Sequence, residues 1–329
     1  MIRFGIIGTN WITEKFLDAA QQLENFQLSC VYSRTEEKAK EFAEKYGAAV
    51  IFTNLEEMAA SDELDAVYIA SPNSFHAEQA MLFMDHKKHV LCEKPIASNT
   101  AELKSMIASA EHNQVLLMEA MKSTFHPVFQ KVKESLPKIG KVRRFIGTYS
   151  QYSSRYDSYK EGTVLNAFKP ELSNGALMDI GIYCIYPAVY LFGSPERIVT
   201  EGYLLETGAD GEGTVLLGYP EMDAVAMYSK ISHSALPSEI QGESGSIVID
   251  RISSPVKAVI HYRDGSKEDL SIEQKENTMY YEAKEFISLI EKGSLESSIN
   301  TYELSVKVME VLDEARKQIG IKYPADEKG

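Results

Sequence analysis

Three groups of residues in this sequence carry side chains suited to chemistry. The first is Cys92-Glu93-Lys94-Pro95. A Lys-Pro step disfavours continuing a helix and can take a cis bond, which would aim the lysine into a cleft. A surface Glu-Lys pair is the plain alternative. The second is the stretch from Asn174 to Tyr183. Asp179 and Tyr183 stand four apart in apolar surroundings, hence on one face of a helix. A buried tyrosine bonded to a carboxylate gives the same pattern without any reaction. The third is Gly8-Thr9-Asn10-Trp11-Ile12-Thr13, directly after the apolar run Arg3–Ile7. It occupies the place of a dinucleotide-binding turn, Gly-x-Gly-x-x-Gly, but keeps only the first glycine. Asn10 stands at the second position and, among non-glycine residues, is well suited to positive φ. Thr13 is modest in size, and the helix start offers N–H groups to a phosphate. An ordinary strand–turn–helix is the alternative.

Ser33-Arg34 adds to this third group. Ser33 lies 20 residues past Thr13, where an acidic residue would hold the ribose 2′-hydroxyl of NAD. Instead a hydroxyl and a guanidinium stand there, with Lys38 one helical turn later. Arginine offers a planar fork to a 2′-phosphate. The pattern favours NADP, with NAD as the second choice. A solvated arginine at a helix start is the alternative.

These groups need a scaffold, and the first third of the chain alternates strand and helix. Strands are predicted at Arg3–Ile7, Gln27–Ser33, Val50–Phe52, Ala66–Ala70, Val90–Cys92 and Val115–Met118. Helices are predicted from about Ile12, over Glu36–Tyr46, Phe75–His86 and Thr100–His112, the last opened by an Asn99/Glu102 capping box. This rhythm implies right-handed crossovers and a doubly wound parallel sheet, whose ligand sits beyond the carboxyl ends of the strands. Five segments lie there: Gly8–Ile12, Ser33–Arg34, Ser71–His76, Glu93–Pro95 and Glu119–Ala120. After about residue 122 the rhythm changes to one strand at Val142–Ser150, a tyrosine-rich loop, a helix over Gly175–Phe192, seven strands between Ile198 and Ile272, and two closing helices at Tyr280–Glu291 and Glu303–Ile319. The fold class is α/β: a Rossmann domain over 1–122, then an α+β domain over 123–329 with an open, mostly antiparallel sheet. The C-terminal helix has the option of packing back on the first domain.

Composition narrows the function. Of 329 residues, 34 are Lys or Arg and 48 Asp or Glu, giving a net charge of −14. Duplex nucleic acid and anionic membranes are thereby disfavoured as partners. Cys30, Cys92 and Cys184 lie far apart, with no CxxC or Cys/His cluster. They read as reduced, buried thiols of a cytoplasmic protein. No signal peptide is visible at the start. The apolar run Ala176–Phe192 contains Asp179, Gly181 and Pro187 and reads as a buried helix. The seven histidines show no metal-ligand spacing. His126, before Pro127, reads as a loop residue.

Together, Ile7-Gly8-Thr9, Ala70-Ser71-Pro72-Asn73-Ser74-Phe75-His76, Glu93-Lys94-Pro95 and Asp179…Tyr183 resemble the Gfo/Idh/MocA oxidoreductase family over nearly the whole chain. Met118–Met121, Phe125-His126-Pro127, Pro170-Glu171-Leu172 and Tyr183 are most similar to its dihydrodiol dehydrogenase branch, which includes NADP-dependent pentose dehydrogenases. Two departures stand out. Asn10 replaces a glycine, and Ser173-Asn174 replaces part of a glycine run.

The resemblance implies hydride transfer between nicotinamide C4 and a carbinol or carbonyl carbon of a small polyol, sugar or dihydrodiol. It also implies a homodimer or homotetramer formed through the second domain's sheet. A proton must move as the hydride does. A phenol with a pKa of about 10 is a poor base at neutral pH unless a cation favours its phenolate. Tyr183 is therefore expected to exchange the proton. Lys94 is expected to orient the substrate oxygen and stabilise charge on it; an alternative makes Lys94 itself the acid–base. Asp179 would hold Lys94 or a substrate hydroxyl. Asn73 and His76 would lie near the nicotinamide or its ribose, with Ser71 and Pro72 in the same cofactor loop. Glu93 would hold local geometry, and Trp11 would cover the cofactor edge or the helix start. Tyr149, Tyr152, Tyr156 and Tyr159 would line the substrate mouth or pack between domains. A redox-silent NAD(P)-binding regulator and a nicotinamide-assisted glycosidase are the rival readings of the same scaffold.

Overall fold

The structure, a computed structural model, describes residues 1–327. The chain divides into two compact units, Met1–Met121 with Lys275–Tyr302, and Lys122–Gln274 with the residues from Glu303 onward. The second unit is therefore not an unbroken 123–329. Residues 275–302 group with the first unit, and the final helix groups with the second.

In the first unit, β1 (Ile2–Ile7), β2 (Phe26–Tyr32), β3 (Val50–Phe52), β4 (Ala66–Ile69), β5 (His89–Glu93) and β6 (Leu117–Ala120) form a parallel sheet. Its order is β3-β2-β1-β4-β5-β6, the doubly wound arrangement expected. The connecting helices are α1 (Trp11–Ala20), α2 (Glu36–Tyr46), α3 (Leu55–Ala60), α4 (His76–Asp85) and α5 (Thr100–Asn113). Short runs such as Ala66–Ile69 are buried throughout, as a sheet covered on both faces requires. Asn99 Oδ1 accepts the Glu102 N–H at 2.9 Å, and the Glu102 carboxylate takes the Ser98 N–H, so the cap of α5 closes one residue further back than a standard box.

An aromatic cluster fills the core beside β1. The ring of Phe16 from α1 stacks on Tyr68 from β4 at 3.8 Å, and Phe4 touches Phe16, Phe26 and Phe286. Phe286 belongs to α9 (Met279–Glu291), the helix of the returning segment, which packs on α1. Asn300 completes the return by donating to the carbonyls of Glu119 and Met121 at 3.2 and 3.3 Å.

The second unit holds eight strands: β7 (Val142–Ser150), β8 (Arg197–Leu204), β9 (Asp210–Gly218), β10 (Asp223–Ser229), β11 (Ser238–Gly242), β12 (Gly245–Ile249), β13 (Ala258–Tyr262) and β14 (Lys267–Asp269). Their order is β14-β13-β12-β11-β7-β10-β9-β8. All neighbours are antiparallel except β7 and β10, which pair in parallel at the centre. Its helices are α6 (Pro127–Ser135), α7 (Ser154–Lys160), α8 (Ile182–Phe192) and α10 (Tyr302–Ile319). The stretch Pro170–Phe192 is long and apolar enough to cross a bilayer, but most of it is buried inside this unit.

The helix expected over Gly175–Phe192 is not uniform. Leu177–Gly181 is wound as a π-turn before α8 begins. One glycine closes this turn. Gly181 lies so close to the Tyr228 ring that a Cβ there would sit 3.0 Å from it. Wide turns of this kind recur at functional sites, and this one carries Asp179.

Candidate active site

In the first unit, the candidate residues lie at the carboxyl ends of the parallel strands. Lys94 follows β5, joined to Pro95 by a cis peptide bond. Three neighbouring elements hold this turn. The buried Glu93 carboxylate accepts the Tyr68 hydroxyl from β4 at 2.5 Å and the Lys94 N–H at 3.2 Å. Glu119 from β6 accepts the Ile96 N–H at 3.2 Å. The ring of His76, at the start of α4, lies with Nδ1 2.9 Å from the Pro95 carbonyl and Nε2 2.9 Å from the Ser71 carbonyl. Burial pushes the His76 pKa below its ordinary value, against the pull of the two carbonyls. A neutral ring has one N–H, so it donates to one carbonyl at a time. His76 therefore ties the loop after β4 to the Lys94 turn. Ser71 is fixed in turn by its hydroxyl, which donates to Gln79 Oε1 at 2.6 Å. Pro72 and Asn73 lie half-buried between them, Asn73 opening a short 3-10 turn.

The Gly8–Thr13 turn is built differently from the sequence expectation. The positive φ belongs to Gly8, at 104°, where an added Cβ would lie 2.6 Å from the Ala70 carbonyl oxygen. Asn10 has extended backbone, φ −122°, and does not take the left-handed conformation expected of it. Its role is capping: Oδ1 accepts the N–H groups of Ile12 and Thr13 at 3.0 and 3.3 Å, while Nδ2 donates to the Ala70 carbonyl at 2.8 Å. Two donors expected to await a phosphate are thus held by a side chain of the turn itself. The Thr13 hydroxyl donates to the Gly8 carbonyl at 2.7 Å, locking the turn from inside. Trp11 is exposed at the start of α1, with the Lys15 ammonium 5.4 Å from its ring centre.

At the end of β2, Ser33 is buried and its N–H donates to the Phe52 carbonyl on β3. Arg34 and Lys38 are exposed. No carboxylate stands at the residues that follow β2 before α2, and Thr35 makes no side-chain cap on α2. A 2′-phosphate would meet the Arg34 guanidinium there, beside the first turn of α2, where Glu37 stands and Glu36 is paired with Lys40 at 2.6 Å. The Gly8 turn and this basic corner fit a dinucleotide with a 2′-phosphate, while Asn10 already holds two of the N–H groups at the start of α1.

In the second unit, the candidate residues lie on the π-turn and α8. Tyr183 is 9% exposed and meets Tyr149 of β7 edge-on, with ring centres 5.8 Å apart. Asp179 bonds a residue that the sequence reading did not single out: Lys230, whose ammonium lies 2.7 Å from Asp179 Oδ2. The signal for Lys230 was present. Along β10, Ala224, Ala226 and Tyr228 face inward, and continuing the alternation past the strand end puts Lys230 on the core face. Tyr156 and Tyr159 pack on Phe168 within this unit, and exposed Tyr152 donates to Asp157. Only Tyr149 of the four adjoins Tyr183. Ser173 takes the left-handed conformation, φ 54°, where a glycine run would have suited the backbone better.

Asp210 of β9 also escaped notice. It is fully buried, and Oδ2 accepts the Leu177 N–H at 2.6 Å at the start of the π-turn. Burial raises its pKa to about 6, against the lowering pull of that N–H and of Lys230. The folded state therefore binds this proton more tightly than the unfolded chain. Its contribution to stability is fully present below the unfolded value near 4 and is lost as pH rises through about 6. The difference is on the order of 3 kcal/mol. Asp210→Asn should flatten this segment of the stability curve. Melting curves at pH 4 and 7 check it, and an unchanged pH slope in the variant counts against the assignment.

His126 is buried at the start of α6, its pKa pushed down to about 3 by burial and the nearby Lys122 charge. The sequence reading made it a loop residue; it stands as the buried N-cap of α6. Among the described residues, no group of three His, Cys, Asp or Glu could hold a metal.

Comparison with known proteins bears directly on this arrangement. Residues 2–121 match the family described as "Oxidoreductase family, NAD-binding Rossmann fold", and residues 129–248 match "GFO/IDH/MocA C-terminal domain". The chain is 60% identical to the scyllo-inositol 2-dehydrogenase (NADP(+)) IolU of Bacillus subtilis (strain 168), over 99% of this chain and 100% of that one. It is 31% identical to a trans-1,2-dihydrobenzene-1,2-diol dehydrogenase of Xenopus laevis, over 98% and 99%. Among solved structures, KijD10, a 3-ketoreductase from Actinomadura kijaniata with NADP and TDP-benzene, shares the fold at a TM-score of 0.85 and 23% identity, over 96% and 97%. Both matched regions and the near-complete coverage lead to one assignment: the chain belongs to the Gfo/Idh/MocA oxidoreductase family.

Proposed function

We propose that this protein oxidises a secondary alcohol of a small cyclic polyol, an inositol, with NADP+ as hydride acceptor, and reduces the matching ketone in reverse. The observation that carries this reading is the full-length 60% identity to an NADP-dependent scyllo-inositol 2-dehydrogenase. NADP, when bound, supplies nicotinamide C4 as the hydride acceptor or donor. Gly8, Thr9, Trp11, Ile12, Ser71, Pro72 and Asn73 border it, and Arg34 with Lys38 takes the 2′-phosphate.

The residues of the chain do the rest. Lys94 holds the reacting hydroxyl and steadies negative charge on its oxygen as the C–H bond breaks. Tyr183 accepts the hydroxyl proton, so that one hydride and one proton leave the carbinol together. Asp179 accepts a neighbouring substrate hydroxyl. The test is turnover of purified protein with scyllo-inositol, myo-inositol, pentoses and a trans-dihydrodiol, followed by NADPH absorbance. Oxidation of an inositol ahead of the others is the expected result. Tight NADPH binding with no turnover of any compound overturns it in favour of a sensor.

The compartment and assembly proposed are the cytoplasm and a homo-oligomer. Three buried free thiols fit a reducing compartment. On the open face of the second sheet, Ile146, Val225, Leu216 and Val199 stand opposite one another across four adjacent strands, making an apolar stripe that suits a second copy. Light scattering at twice 36.8 kDa or more is expected. A single species of 36.8 kDa removes the proposal.

A further inference from the structure

Lys230 presents a physical problem. Its side chain is only 3% exposed, and a buried ammonium costs several kcal/mol unless it is paired. A methionine would fill the same space without that cost. The ammonium is fully engaged: it donates to Asp179 Oδ2 at 2.7 Å and to the Ala167 carbonyl at 3.1 Å, and lies 5.0 Å from the centre of the Phe168 ring. Its backbone is clamped as well. The Lys230 N–H donates to the Gly211 carbonyl, and the Lys230 carbonyl accepts the Ser153 N–H at 2.9 Å. The anchor is therefore rigid from strand to charge.

Asp179 is the opposite. Its side chain is 31% exposed and sits in a π-turn, a kind of turn frequent at functional sites. An aspartate there has several rotamers open to it. A fixed cation on its buried side selects one.

We propose that Lys230 is a positioning residue for the oxidoreductase reaction, holding the Asp179 carboxylate by Oδ2 in the single orientation the substrate requires. This rests on the function proposed above. Lys230 touches neither substrate nor cofactor and acts through Asp179 alone. The buried pair thereby serves orientation, since ion pairs of this depth add little net stability.

The test uses the whole chain with scyllo-inositol and NADP+. Lys230→Met is expected to lower kcat by roughly 100-fold, as misplacement of a substrate-positioning contact does, with KM and NADPH affinity within about threefold. Lys230→Arg, which keeps the charge, is expected to recover at least about tenfold of that loss. In the Asp179→Asn background, Lys230→Met should add almost nothing, because the two act as a unit. Lys230→Gln, which keeps an N–H donor at the same depth, guards against misfolding of the methionine variant and should also lose kcat. Wild-type kcat in a folded Lys230→Met or Lys230→Gln, or losses that add in the double variant, overturns the proposal alone. Absence of polyol turnover by the unaltered protein overturns it together with the function on which it rests.

Discussion

Methionine in place of Lys94 is expected to lower turnover by roughly 100-fold or more, because it removes the charge that would steady the alkoxide-like oxygen as hydride departs. NADP(H) affinity should stay within about threefold, since the turn is held independently of the ammonium. Glu93 grips Tyr68 and the Lys94 backbone, His76 reaches the Pro95 carbonyl, and Glu119 takes the Ile96 N–H. None of these contacts uses the lysine side chain. Steady-state kinetics with fluorescence titration of NADPH separates the two effects. Near-normal kcat in the variant removes Lys94 from the mechanism.

Removal of the guanidinium at position 34 is the second large effect. Arg34→Ala should weaken NADPH by about 10- to 100-fold, the worth of a charge-assisted fork on a phosphate. NADH lacks that phosphate and should change by no more than about twofold. Arg34 is exposed just before α2, and Thr35 leaves the first turn of that helix without a side-chain cap, so the substitution disturbs little else. Calorimetric titration with both nucleotides is decisive. An equal loss for both discredits the 2′-phosphate role.

Much of the scaffold was legible because its strongest signals are periodic. The stripe Ala39, Phe42, Ala43 and Tyr46, stopped by Gly47, marks a helix whose observed limits are Glu36–Tyr46, with Gly47 left-handed at its end. Elements without such a stripe were missed. Leu55–Ala60 has only six residues, so its main cue was the Asn54 cap. Pro127–Ser135 is a different case: it has a stripe, Val128, Phe129 and Val132, but begins with a proline, which is good helix-start chemistry and reads as loop when isolated. Ser154–Lys160 has no buried residue to set a period.

The site divides in the same way. Gly8, Glu93, Lys94, Asp179 and Tyr183 stand out as candidates by type and local spacing. Asn10 was given the wrong role because its choice between a left-handed backbone and a helix cap depends on the Ala70 carbonyl 60 residues away. The alternation along β10 signals a buried Lys230, but its pairing with Asp179, and the contact of Asp210 with the π-turn, could be seen only once β9 and β10 lay beside that turn. Long-range polar pairing of this kind leaves little trace in local sequence.

The return of residues 275–302 to the first unit has a consequence for how the molecule is made. A ribosome releases the chain from the amino end, and domains ordinarily fold as they emerge. Here the first unit cannot finish then: Phe286 and Asn300, which close its aromatic core and cap β6, are synthesised only after the whole eight-stranded sheet. The nascent amino-terminal sheet must wait, partly uncovered, through the translation of more than 150 further residues. Its completion and that of its neighbour are therefore joined in time, and a fragment ending near residue 121 would leave the face of Phe4 bare.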